Sequence, residues 1–318
     1  MEKIVNQNED RNLNKKDLTD KFQVGGQAVI EGVMMRSPRW VTVAVRKNNG
    51  EIVVKKDPYV SLTKRHWLLN LPIIRGAIAL AETLYIGIKA LTFSAEIVAQ
   101  EEEEDADEKV EEKVKTKREQ ILTTIWLSLS IALGAFLALF LFFYLPLFLA
   151  GLLRIKSGFL FNVVDGIIRI SIFLIYLWLI TIWKSMRRIF EYHGAEHKSI
   201  FALEAGEDLT VDNVKKYTTH HPRCGTSFLL VVMLVSIGVF IFLGKPNTVQ
   251  ERLIRLLFVP LIAGISYEIV KLSGKKATNP LVRALIAPGL WLQRITTKEP
   301  DDEQLEVAIA ALKSSLEE

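Results

Sequence analysis

Cysteine is nearly absent. Cys224 is the only one in 318 residues, so no disulfide can form within the chain and nothing points to an oxidising compartment. The first 21 residues, "MEKIVNQNEDRNLNKKDLTDK", hold no apolar core of the kind that a cleaved signal peptide needs, and they read as a disordered cytosolic leader. No repeat of solenoid length is visible. A strong excess of one charge is also missing: 40 basic against 36 acidic residues leave +4, which is not the signature of a nucleic-acid binder, and no nucleic acid is expected as a partner.

What the chain has instead is long apolar runs. Half of its residues are hydrophobic, and four stretches are long enough to cross a bilayer, which takes about 20 such residues. They are 122–150, 163–183, 226–243 and 253–272. Pro146 either kinks the first or marks its end. Basic clusters flank these runs on one side: Lys113, Lys115, Lys117 and Arg118 before the first, Lys184, Arg187 and Arg188 after the second, Lys271, Lys275 and Lys276 after the fourth. The positive-inside rule then places the protein in the cell membrane, multi-pass, with both termini and residues 184–225 cytoplasmic and the bilayer as its first partner.

The fold class that follows is a mainly α polytopic membrane protein with about four transmembrane helices, amphipathic interfacial helices and a small N-terminal cytosolic β element. Residues 22–60 form the β element, rich in Val and Ile, with a hairpin turn at Asn49-Gly50 and Gly25, Gly26 and Gly32 allowing close backbone approach. Gly25-Gly26-Gln27 spells the peptide-release tripeptide of translation release factors, but in a strand a bulge or tight packing explains it more simply. Residues 61–99 resemble a further span, yet Arg75, Glu82 and Lys89 recur every seventh position as a charged helical stripe. A helix lying on the cytoplasmic leaflet is expected there, the stripe at headgroup level or facing other helices. Residues 100–120 form a charged linker or helix extension, and 121–272 the four-helix domain. Residues 273–318 close the chain: Asn279 caps a helix starting at Pro280 and broken at Pro288-Gly289. An amphipathic helix follows, with Leu305, Ala308, Ile309, Leu312 and Leu316 on one stripe, capped by Asp301 or Asp302.

The chemistry concentrates in "EYHGAEHKSI" and "HHPRCG". His193 and His197 stand one helical turn apart, the spacing at which two imidazoles bind one ion. With Glu196 the string is H-x-x-E-H, the inverted zincin pattern, in which the glutamate is the general base. His220, His221 and Cys224 follow, and imidazole with thiolate suits a divalent ion such as zinc. A closed site would use His193, His197, one of His220 and His221, and Cys224; an open one would leave a position for water, with Glu268 as a further acidic ligand. The plainer readings are a juxtamembrane basic surface for the histidines and a helix-end pair of Glu268 with Lys271. Two functions remain: a metal-dependent hydrolase acting on a membrane peptide or lipid-linked substrate, or a non-catalytic scaffold, channel or transporter subunit in which the His/Cys cluster is structural. Either is compatible with a homo-oligomer.

The segments "VGGQAVIEGVMMRSP", "NLPIIRGAIALAETLYIGIKAL", "EYHGAEHKSI", "HHPRCGTSF", "GISYEIVK" and "LQRITTKEPDDEQLEVAI" resemble the YqhQ family of bacterial integral membrane proteins, over nearly the whole chain from residue 22. That family is classed as a domain of unknown function and catalogued among predicted metal-dependent enzymes, so the resemblance implies a metal site and carries no substrate.

Overall fold

The computed structural model describes residues 24–106, 117–275 and 280–317. The leader and the centre of the charged linker lie outside these residues, as does Asn279. Four strands, β1 (Gly25–Val29), β2 (Gly32–Arg36), β3 (Trp40–Arg46) and β4 (Ile52–Pro58), form an antiparallel meander. The turn expected at Asn49-Gly50 joins β3 to β4, with Gly50 in the left-handed region at φ 87° and the Asn49 side chain accepting from Glu51 N–H at 2.9 Å.

Both faces of this small sheet are covered, because its strands alternate apolar residues to both sides. Val29, Met34, Val43 and Val45 meet Ile86 and Ala90 of α1 (Ile74–Ala106). On the opposite face, Val33, Met35 and Ala44 pack against Tyr192 and Ala195 of α5 (Lys184–Ala205) and against Leu305, Ala308 and Leu312 of the last helix, α11 (Asp302–Leu316). The stripe read in residues 305–316 therefore covers the sheet, and Asp301 caps the helix through a capping box with Gln304. Thr42 in the sheet donates its hydroxyl to the Ala311 carbonyl at 2.7 Å, tying the first strands to the end of the chain.

The remaining helices form an apolar bundle. α2 (Lys117–Leu139) runs through a π-helical turn, Phe140–Tyr144, into α3 (Leu145–Leu152), so Pro146 falls in the first turn of a continuing helix. α4 (Gly158–Ile180) follows, then α5, the short α6 (Val211–Val214) and α7 (Gly225–Leu243). α8 (Val249–Leu257), α9 (Val259–Lys275) and α10 (Pro280–Thr296) lead to α11. Four helices are long and apolar enough to cross a membrane: Ile74–Gln100, Ser128–Leu152, Gly158–Ile180 and Gly225–Leu243. Large side chains such as Trp126, Phe136, Ile175 and Phe242 stand exposed on them, the pattern of a lipid-facing surface.

Three sequence expectations change. The run 253–272 is not one straight helix: α8 and α9 meet at a bend of 40° after Leu257, because amphipathic α8 turns Arg255 inward while its apolar side faces out. α1, expected to lie on the membrane surface, is itself one of the four helices apolar enough to cross it, with the bent pair a possible fifth, and its charged stripe meets protein groups, one of the two placements expected. Arg75 pairs with Glu268 of α9, Glu82 accepts from Tyr59, Ser61 and the Leu62 N–H, and Lys89 bonds Asp57. Finally, α10 continues through Pro288, since Gly289 packs directly on Ser227 of α7 and that close contact holds the helix together where proline removes a hydrogen bond.

Candidate metal centre

α5 supplies three of the residues singled out in the sequence. Its helical path puts His193 and His197 on the side turned away from the apolar face that Tyr192, Ala195 and Ala202 press on the sheet, with Glu196 between the two faces and against β1. Gly194 makes this placement possible. A Cβ there would collide with the Lys298 carbonyl, so only glycine lets the segment after α10 run against the helix, where Lys298 N–H donates to Phe190 O at 2.9 Å.

That segment and the loop after α6 fix the imidazoles. His193 Nδ1 lies 2.8 Å from the Thr296 carbonyl, and His197 Nδ1 lies 2.5 Å from the Thr219 carbonyl. A carbonyl only accepts, so each Nδ1 carries the proton and each Nε2 keeps its lone pair. Both Nε2 atoms turn toward one place. Cys224 Sγ is 3.3 Å from His193 Nε2, and the ligand atoms of His193, His197 and Cys224 all lie within 4.8 Å of one another. Cys224 is held as the N-cap of α7, its sulfur accepting from Thr226 N–H at 3.4 Å.

Glu196 completes the group. Its Oε2 is 3.8 Å from His193 Nε2 and 3.9 Å from His197 Nε2. Burial pushes its carboxyl above the usual range, opposed by His193, His221 and the Gly26 N–H. Burial likewise holds His197 below the ordinary histidine value, which keeps the ring neutral. Gly26 of β1 finds its reason here: a Cβ on it would stand 2.7 Å from Glu196 Cγ.

The other candidates lie elsewhere. His220 turns to Thr218, its Nδ1 3.1 Å from that hydroxyl. His221 is buried behind His197, ring centroids 5.7 Å apart, with its Nε2 3.3 Å from Glu204 but out of hydrogen-bonding alignment. Burial lowers its pKa to about 4. Gln293 of α10, which sequence reasoning passes over, clamps the backbone of His221 through bonds of 2.7 and 2.8 Å. Glu268 is taken by Arg75, with Nε 2.6 Å from Oε1, and stands outside the His/Cys group because that guanidinium already satisfies its carboxylate. Among the described residues, two imidazoles and one cysteine sulfur thus form a group that could hold a metal ion, and N and S donors of this kind are those that zinc-class ions take.

Comparison with known proteins places the sequence in a family. The profile described as "Protein of unknown function (DUF1385)" covers residues 71–318. The chain is 35% identical over 298 residues to "Uncharacterized protein YqhQ" of Bacillus subtilis (strain 168), spanning 92% of each chain. No solved structure matches it. Across the apolar bundle, the sheet beneath it and the His/Cys group, this chain belongs to the YqhQ family.

Proposed function

We propose that the protein is a multi-pass membrane protein with a cytoplasmic-face metal centre, held by His193, His197 and Cys224, and that it is a hydrolase with Glu196 as general base. One observation carries the reading: both histidines give their Nδ1 protons to backbone carbonyls, leaving two Nε2 lone pairs and a sulfur converging beside a buried carboxylate. Carbonyl-oriented imidazoles are the usual support of a metal site. A zinc-class ion supplies Lewis acidity there. Glu196 takes a proton at its Oε2, and burial, which raises its pKa, makes it a better proton acceptor. Gly26 N–H holds the carboxylate in position, and burial of His197 and Cys224 keeps bulk water away. The substrate class is a membrane peptide or a lipid-linked molecule arriving at the cytoplasmic leaflet.

Elemental analysis of the purified protein tests this. About one zinc per chain is expected, lost in His193→Ala and Cys224→Ser and retained in Glu196→Gln. Loss of the ion in Glu196→Gln as well would instead make Glu196 a ligand in place of the His220 or His221 of the closed site read in the sequence, a structural role and not a base. A wild type without stoichiometric metal ends both.

A further inference from the structure

At the opposite end of α4 from the histidines, charges are buried inside the apolar bundle. Asn162, Asp165 and Arg169 line one face of α4, and Arg255 reaches them from α8; all four are at most 7% exposed. Arg169 Nη2 donates to Asp165 Oδ2 at 2.9 Å. Arg255 Nη2 donates to Asn162 Oδ1 at 2.8 Å and to the Gly244 carbonyl at 2.6 Å. Both guanidiniums border the ring of Phe240, at 5.2 and 4.7 Å from its centroid. Ionisable side chains at such depth are costly and mark functional sites by default.

The pairing is incomplete in a specific way. A structural pair would join arginine and aspartate through both oxygens. Here Asp165 Oδ1 is buried without a partner, as are Arg169 Nε and Arg255 Nη1, and Arg252 Nε one turn earlier on α8. Arg255 has no hydrogen-bonded carboxylate among the described residues. The cluster of Asp165, Arg169 and Arg255 therefore holds an excess of positive charge, two N–H donors and one acceptor, all unmet.

We propose that this cluster is a binding site for a phosphomonoester. The oxygens of a phosphomonoester accept from the arginine N–H groups, and the hydroxyl of its monoanion donates to Asp165 Oδ1. A sulfate or a phosphodiester has the oxygens but no hydroxyl, so it leaves Asp165 unmet. The site stands on different residues from the metal centre and does not depend on that reading. Its ligand is either the headgroup of a lipid phosphomonoester or free phosphate.

Melting of the detergent-purified protein at about pH 6, where the monoanion is abundant, tests the assignment. Inorganic phosphate and sulfate are compared in one arm, phosphatidic acid and phosphatidylglycerol in mixed micelles in the other. The expected result is a rise of about 3 °C or more with phosphate or phosphatidic acid, and none with sulfate or phosphatidylglycerol. A response to phosphatidic acid alone assigns a lipid headgroup; a response to inorganic phosphate assigns the free ion. Arg255→Gln should abolish the shift. Should that variant not fold, Asp165→Asn decides: it should still bind but no longer prefer phosphate over sulfate. No shift with any ligand, equal shifts with sulfate, or an unchanged preference in Asp165→Asn overturns the proposal and leaves the unmet atoms to water.

Discussion

Gly26 and Glu196 meet where β1 passes α5, so closely that a Cβ on the glycine would lie 2.7 Å from the glutamate Cγ. Its neighbour Gly25 has nothing within 4 Å of the same position. Gly26→Ala should therefore destabilise the protein by about 1–3 kcal/mol through overpacking, while Gly25→Ala should stay near neutral. Thermal melts of the two variants check this. Equal effects would mean that β1 does not press on Glu196.

Gly194→Ala tests the support of His193. The new methyl meets a backbone carbonyl, which cannot rotate away, so the segment carrying Thr296 must shift. Metal affinity should fall about 10–100-fold, as it does when the outer partner of a ligating histidine is lost. Competition against a chromophoric chelator measures it. Unchanged affinity in a folded variant would show that the Thr296 carbonyl does not orient the ring.

Glu268→Gln should leave the metal content unchanged, because Arg75 already holds that carboxylate. A double-mutant cycle of Arg75→Ala and Glu268→Ala should return a coupling of about 0.5–3 kcal/mol. Loss of metal in Glu268→Gln would restore the glutamate as a ligand.

Reporter fusions after Ser199 and after Lys245 should give opposite sidedness, with Ser199 cytoplasmic. A cysteine at exposed Ala99, in a Cys224→Ser background, should label from the cytosol. The basis is α1 itself: Ile86 and Ala90 pack on the same sheet that α5 covers from behind, so the C-terminal half of α1 belongs with the metal centre. Labelling of Ala99 only from outside would make α1 a crossing helix.

The sequence carries the spans because bilayer thickness imposes a length, and it carries the 193/197 pair because helical spacing is regular. It carries the hairpin because Asn49-Gly50 has specific turn chemistry. Other features leave no such mark. Thr219 and Thr296 act through backbone carbonyls, which every residue has. Glu268 looks like a ligand because a carboxylate near a span end reads the same whether or not an arginine 193 positions away will claim it. The bend after Leu257 is hidden inside continuous apolarity, and nothing local marks Arg255 as buried, because its partners Asn162 and Gly244 come from distant parts of the chain.

The bond from Thr42 to Ala311 bears on how the molecule is made. Strands β1 to β4 precede the apolar helices in the chain, yet α11, the helix that covers one of their faces, follows those helices. Until that end of the chain is made, Val33, Met35 and Ala44 have no α11 to pack against, and the carbonyl of Thr296 is not yet there to receive His193. Closure of this face is long-range in sequence, the kind of step that is generally slow and exposed to misassembly. Loading of any ion must wait for it. A ribosome stalled before the final helix should release a chain that inserts yet stays empty and sensitive to protease.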